Sequence, residues 1–348
     1  MTDISRNYKW NFRTGKKSKK VLEVPPDVET TYNSIHSNTM NVENNTNEFT
    51  FIGFSSPPLM KFWLTPALLF AYGFTIIENI FLIAVVRVDK YLQTPMYFFL
   101  GHFSFLECWY TTVIIPKTLY NLITNMTTVM FSTCILQMYL FLSLGATECL
   151  LLAAMAYDRY IAICYPLHYS IMISHHLCLL LVCLSWLGGF IAAVVPVILI
   201  SKIHFCSFRI NHFFCDFPPM MQLSCFRRIY IELTVSFISS TVMMSSFTVI
   251  LFSYIKIIIT IFFIPSNRGL HKTFSTCASH LAVVSIYYAS GAFMYARPNA
   301  QKTVETNKLV ALFYSVITPM LNPIIYSFRN SNVLQAMRRF LHIKKIIV

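Results

Sequence analysis

Met155-Ala156-Tyr157-Asp158-Arg159-Tyr160-Ile161-Ala162-Ile163-Cys164-Tyr165-Pro166-Leu167-His168-Tyr169 follows twenty residues, Ile135 to Ala154, whose single charge is Glu148. Asp-Arg-Tyr at the end of so apolar a run sets a permanent cation where hydrocarbon gives way to water. A charge there is expensive unless paired, and Asp158 is the adjacent partner. Such a pair opens when another group competes for it, so it can work as a switch. The commoner fate of a lone Arg at a helix end is to snorkel toward the headgroups, and the flanking sequence has to decide between the two.

The chain has 348 residues, of which 56% are hydrophobic and 12% charged. A soluble globule carries roughly 25% charged residues, so lipid is the main solvent. Apolar stretches long enough to cross a bilayer, roughly 20 residues each, fall at about 62–86, 96–118, 134–160, 177–200, 229–262, 273–296 and 307–328. These predict an all-α membrane protein, a seven-transmembrane helix bundle over 62–328, with a cytoplasmic tail over 329–348. In that tail Asn330 to Lys345 spaces Val333, Leu334, Met337, Phe340 and Leu341 as one helical face. Arg338, Arg339, Lys344 and Lys345 lie opposite, which predicts a short interfacial helix on anionic membrane lipid. The net charge of +13 does not indicate nucleic acid: seven of the 27 Lys and Arg lie in residues 1–20, and most others flank apolar segments. Internal repeats are absent, against the duplicated halves of transporters. No nucleophile–base pair, phosphate loop or HExxH is present, so the chain is read as a non-enzyme.

Residues 1–39 are a basic leader without an apolar h-region, hence no signal peptide; they are expected to be disordered, with Met40 as an alternative start. Residues 40–61 then form a tail whose Asn44-Asn45-Thr46 is a glycosylation sequon. Asn125-Met126-Thr127 is a second, weaker sequon close to the membrane. Of ten cysteines, Cys108, Cys149, Cys164, Cys178, Cys183 and Cys277 lie in or beside apolar segments and are read as packing residues. Cys134, Cys206, Cys215 and Cys225 flank or lie in polar loops and are disulfide candidates. The loop lysines and arginines orient the bundle only weakly. The Asn44 sequon and the loop cysteines place the amino end outside a multi-pass plasma-membrane protein. His204, Cys206, His212 and Cys215 could read as a zinc cluster, but no CxxC pair is present and an oxidising compartment favours disulfides.

Glu78, Glu107 and Glu148 sit about 13, 18 and 16 Å into the hydrocarbon at 1.5 Å of rise per residue. Ionised together they would repel, so either a bound cation or shared protons is expected. The protonated alternative has Asn79 and Asn322 as hydrogen-bond partners. On the third span Phe141, Leu142, Gly145 and Ala146 share a face, and the two small residues leave room between helices. No charged residue is expected to project into that set, which suits a small, largely apolar organic ligand better than an amine, carboxylate or peptide.

Three further motifs join the opening stretch: Leu92-Gln93-Thr94-Pro95-Met96-Tyr97-Phe98-Phe99-Leu100, Lys272-Thr273-Phe274-Ser275-Thr276-Cys277-Ala278-Ser279-His280-Leu281, and Pro319-Met320-Leu321-Asn322-Pro323-Ile324-Ile325-Tyr326-Ser327-Phe328-Arg329-Asn330. Together, over about residues 40–340, they closely resemble the odorant receptors among the rhodopsin-like G-protein-coupled receptors. The resemblance implies disulfides Cys134–Cys215 and Cys206–Cys225, and a ligand site in which Ile238, Ser239 and Val242 of span five and Tyr288, Ala292 and Tyr295 of span six join the span-three face. It implies a coupling surface of Asp158, Arg159, Tyr160, Tyr254, Lys272, Asn322, Pro323 and Tyr326, with Arg159 meeting a stimulatory heterotrimeric G protein when span six swings out. It also implies a sodium ion at Glu107 and Glu148, with no other cofactor. Two departures stand out: Glu78-Asn79 where most of the family has Gly-Asn, and Phe226-Arg227-Arg228 in place of a short acidic run. The rival readings are a non-olfactory rhodopsin-like receptor for a metabolite or lipid, and a transporter or ion channel using the three carboxylates.

Overall fold

The computed structural model describes residues 48–53, 58–226, 228–263, 267–295, 304–328 and 331–347. The leader, Asn44 and Arg227 lie outside them. Seven long helices make the bundle: α1 (Pro58–Val88), α2 (Pro95–Thr124), α3 (Phe131–Cys164), α4 (His175–Ser201), α5 (Ile229–Phe262), α6 (Asn267–Tyr295) and α7. The last runs as Val304–Leu312, a π-helical turn Phe313–Ile317 and Thr318–Phe328. A shorter helix, α8 (Ser331–Ile347), follows. Among the described residues six of the seven are long and apolar enough to cross a membrane. The exception is α6, whose opening Asn267-Arg268-Gly269-Leu270-His271-Lys272 is polar; it packs against α3 and α7 nonetheless.

Local signals set the ends. Pro95 occupies the first turn of α2, where its missing N–H costs no helical bond. Asn125 ends that helix in the left-handed conformation, φ 54°. Ser174 caps α4 by accepting from the Leu177 N–H at 3.3 Å. In α7, Pro319 cannot return a bond to the carbonyl four residues back, Ser315, which lies inside the π-helical turn. The widened turn Phe313–Ile317 therefore stands directly before the proline.

Helix α3 is the axis of the bundle. It packs most extensively on α4 and α5, and 67% of its apolar window is buried against 28% in each of those two. Their outward faces, Leu180, Leu184, Leu187 and Ile191 among them, are exposed to what in a membrane is lipid. Gly189 of α4 lets the α3 backbone approach closely: a Cβ there would lie 2.1 Å from Thr147 Oγ1 and 2.7 Å from the Ser143 carbonyl.

One end of the bundle carries structure that no sequence pattern announced. Three strands, β1 (Glu48–Phe51), β2 (Thr128–Met130) and β3 (Arg209–Ile210), form a sheet in the order β2-β1-β3. Pairing is antiparallel with β2 (Phe49↔Val129) and parallel with β3 (Thr50↔Arg209). At two to four residues the strands are too short to show alternation. Phe49 is buried among Phe131, Phe205 and Phe208, with ring centroids 5.3–5.9 Å away. Cys134–Cys215 ties α3 to the loop after α4, and Cys206–Cys225 closes that loop on itself, the pairing the resemblance implied.

At the opposite end α8 does not present all of its basic residues to a lipid surface. Arg339 bridges to Asp89 Oδ2 at 2.9 Å and lies over the Tyr91 ring, tying α8 to the short 3₁₀ turn Lys90–Leu92. Sequence alone set Arg339 with Arg338 facing membrane lipid; long-range pairing with Asp89 takes it instead.

Candidate functional site

A cavity of about 110 Å³ opens within the bundle toward the disulfide end. Helix α3 supplies Phe141, Leu142, Gly145 and Ala146 to its wall, and α5 supplies Ile238, Ser239 and Val242. These seven expected residues come together because α3 and α5 pack side by side. The Phe141 ring meets Phe214 of the disulfide-bonded loop edge-on at 5.0 Å, which puts that loop over the cavity. Tyr288 does not line it. Its hydroxyl pairs with Ser246 Oγ of α5 at 2.7 Å, and its neighbour Tyr287 faces the cavity instead, donating to the Gly145 carbonyl at 2.7 Å. A one-residue step on a helix turns a side chain by about 100°, and sequence could not settle which of the two adjacent tyrosines pointed inward. Ala292 and Tyr295 belong to α6, but their side chains lie outside the described residues.

The expectation of an uncharged lining fails at Glu148. This residue is 3% exposed and lines the cavity next to Cys149, whose thiol donates to the Tyr287 hydroxyl at 3.4 Å. Glu148 follows Gly145 by three residues and Phe141 by seven, so helical spacing brings it to the same face. Glu107 is fully buried, with one carboxylate oxygen accepting from Asn322 Nδ2 and the other without a partner among the described residues. Asn79, the other expected partner, is turned into its own helix and donates to the Thr75 carbonyl at 2.9 Å. Glu78 is half-buried on α1, with Oε2 unpartnered among the described residues.

At the far end of α3, Arg159 donates to Asp158 Oδ2 at 2.6 Å, and Asp158 is 1% exposed. Asp158 Oδ1 accepts from the Tyr169 hydroxyl at 2.7 Å, so the aspartate is held from two sides. In this arrangement the hydroxyls of Tyr254 and Tyr326 are not bonded to Arg159. The Tyr254 hydroxyl pairs with His280 Nδ1 of α6 at 2.8 Å, and the buried Tyr326 hydroxyl has no partner among the described residues. A void of about 10 Å³ bounded by Arg159, His280, Tyr326 and Met155 separates them, room for one water at most. Tyr160 turns to α5, its ring 6.0 Å from Phe252. Pro323 is buried in α7 directly after Asn322. The Lys272 side chain lies outside the described residues. Tyr169 and His280 were both inside quoted motifs, yet only the fold shows that they hold Asp158 and Tyr254.

The loop over the cavity contains two buried ionisable groups. Burial pushes the His212 imidazole down to about 3, with the Lys308 ammonium adding to the effect and a Phe214 carbonyl contact opposing it. Burial pushes the Asp216 carboxyl up to about 7, partly offset by the Phe217 N–H that it caps at 2.7 Å. Lys308 is itself buried and donates to the Gly53 carbonyl, joining α7 to the segment after β1. Cys206 and Cys215, once candidate zinc ligands, are consumed by the two disulfides.

Helix α3 thus carries in series a wall of the cavity, Glu148 of the buried acids and the closed Asp158–Arg159 ion pair. The family model described as olfactory receptor matches residues 68–344. Olfactory receptor 226 of Rattus norvegicus is 46% identical over 85% of this chain and 92% of its own length. Olfactory receptor 6A2 of Homo sapiens is 46% identical over the same shares. Olfactory receptor 11L1 of Homo sapiens is 45% identical over 88% of this chain and 94% of its own length.

Proposed function

The chain belongs to the olfactory receptor family of G-protein-coupled receptors, and from that premise we propose that an odorant held in the α3–α5–α6 cavity drives nucleotide exchange on a stimulatory G protein and raises cAMP. The observation that carries this reading is the placement of cavity and Arg159 on one continuous helix. Asp158 and Tyr169 keep the arginine closed in the resting arrangement, and His280 occupies Tyr254. Outward movement of α6 would free Tyr254 and open the void beside Tyr326, so that Arg159 can leave Asp158 and meet the G-protein α subunit. The membrane in question is the plasma membrane, with the glycosylated amino end and the disulfides outside, where an oxidising medium keeps cystines intact.

Glu107 and Glu148 also fit a sodium ion in the resting state, since Glu107, Glu148 and Asn322 offer only oxygen donors and a hard cation prefers oxygen. Buried Glu107 Oε2 and Asn322 Oδ1 are without partners among the described residues, which supports that fit. A cAMP reporter screen over a broad odorant panel tests the main reading. At least one odorant should raise cAMP in cells expressing the receptor. Arg159→Ala should abolish that rise while ligand binding survives. A normal response from Arg159→Ala refutes the coupling role. Basal signalling titrated with sodium should respond in the parent and not in Glu148→Gln; identical salt responses refute the ion.

A further inference from the structure

Met243 of α5 and Gly291 of α6 both line the cavity, and they meet where the two helices face each other. A Cβ at Gly291 would lie 2.8 Å from the Met243 methyl carbon and 3.8 Å from its sulfur. The methionine tip therefore fills the place that a side chain on α6 would take, and it fits there because residue 291 has none. We propose that this pair gauges ligand length: Met243, seated on Gly291, is the movable wall that sets how long an aliphatic chain the cavity accepts. This rests on the reading of the cavity as the odorant site and narrows its ligands to short-chain aliphatic molecules.

The two sides of this contact differ in kind. On α6 it is backbone, which cannot rotate aside. On α5 it is the end of an unbranched side chain with three rotatable bonds and a soft thioether, the residue type that adapts best to irregular gaps. Ordinary contact begins at 3.4 Å, so a methyl added at Gly291 has to displace the methionine tip by about 0.6 Å or more. Because both residues border the cavity, a displaced thioether takes its new room from the ligand. The cavity is small enough for that loss to be felt. A 150 Å³ apolar cavity takes up benzene, so 110 Å³ suits a body of about five heavy atoms. One methylene more or less in a hydrophobic pocket changes recognition by about 10- to 200-fold. Moving one methyl group across this contact is therefore enough to shift which chain length fits.

The test uses full-length receptor in lipid nanodiscs with the straight-chain alcohols from 1-butanol to 1-octanol as probes, read by thermal shift and, in cells, by cAMP. The length limit is the chain beyond which one more carbon weakens the half-maximal concentration by about tenfold. Partition into lipid grows with chain length alike in every variant, so differences between the proteins report the cavity. Gly291→Ala should lower the limit by one carbon, and Met243→Ala, which deletes three heavy atoms, should raise it by at least one. The double variant should match Met243→Ala alone, because the added methyl then meets no methionine. Absence of any limit in the parent, or a limit unmoved in Gly291→Ala, overturns the proposal. So does a shortening by Gly291→Ala that is equally large with and without Met243→Ala. If Gly291→Ala fails to fold, Met243→Ala decides alone, and an unmoved limit overturns the gauge. Shifted limits in the thermal assay without cAMP from any alcohol would sink stimulatory coupling and keep the gauge. Responses in cAMP whose chain-length dependence is the same in all four proteins would do the reverse.

Discussion

Gly189→Ala should destabilise the receptor even though alanine is the better helix former. In an exposed helix the exchange would stabilise by about 1 kcal/mol. Here the new Cβ would lie 2.7 Å from the Ser143 carbonyl oxygen and 2.7 Å from the Thr147 nitrogen, where ordinary contact begins at 3.4 Å. Relief therefore requires α4 to move back from α3 by about 0.7 Å, since both atoms are backbone and neither can rotate aside. Overpacking of a core costs about 1–3 kcal/mol, and two rigid contacts put this site at the upper end. Net of the propensity gain, a loss of about 2 kcal/mol remains. At roughly 2–4 °C per kcal/mol, the melting temperature should fall by about 4–8 °C. The same displacement should be felt in ligand response, because Ser143 and Thr147 bracket Gly145 and Ala146 on the cavity wall. Thermal denaturation of purified parent and variant decides the matter; an unchanged or raised melting temperature would show that α3 and α4 are not in contact here.

Tyr169→Phe removes a hydrogen bond to a charged group, about 1.5–3 kcal/mol, from the aspartate that holds Arg159. Ligand-independent cAMP should rise several-fold, and an unchanged baseline would count against Asp158 as the resting latch. Asp216→Asn should raise the melting temperature at pH 8 while keeping the cap on Phe217. The sign follows from its raised folded value of about 7 against 3.8: the fold binds more protons across that window and loses stability as pH rises through it. Below pH 3.8 the gain should vanish, and a gain equal at pH 8 and pH 3.5 would refute the burial argument. His212 works in the opposite sense, neutral in the fold, so that stability drops as pH falls below 6.5; in His212→Gln this acid loss should shrink. Opening Cys134–Cys215, with a sequence separation of 81, should cost about 4.5 kcal/mol, against about 3 kcal/mol for Cys206–Cys225 at 19. Reversal of that order in paired Cys→Ser variants would show that loop entropy is not the controlling term.

The helices were legible because apolar runs of bilayer length report themselves one residue at a time, and Pro95, Ser174 and Asn125 mark their ends locally. The α3 face from Phe141 to Ala146 was legible for the same reason: helical spacing fixes which residues share a side. What spacing could not fix was the rotation of one helix against another. Tyr287 rather than Tyr288 faces the cavity because α6 is turned by its packing and not by its own sequence; Glu148, three residues after Gly145, already lay on the α3 face that spacing defines. The sheet of β1, β2 and β3 joins segments about 80 and about 160 residues apart in strands of two to four residues, below the length at which alternation registers.

Sequence by itself determined the membrane solvent, the bundle and the charged end of α3, since each depends on composition or on neighbours along one helix. Tertiary structure alone decided that Asp158 is shared with Tyr169, that Tyr254 is engaged by His280 and that Arg339 belongs to Asp89. Those contacts join residues 11 to 250 positions apart, and pairing at such distances is set by how helices pack, which no local pattern records.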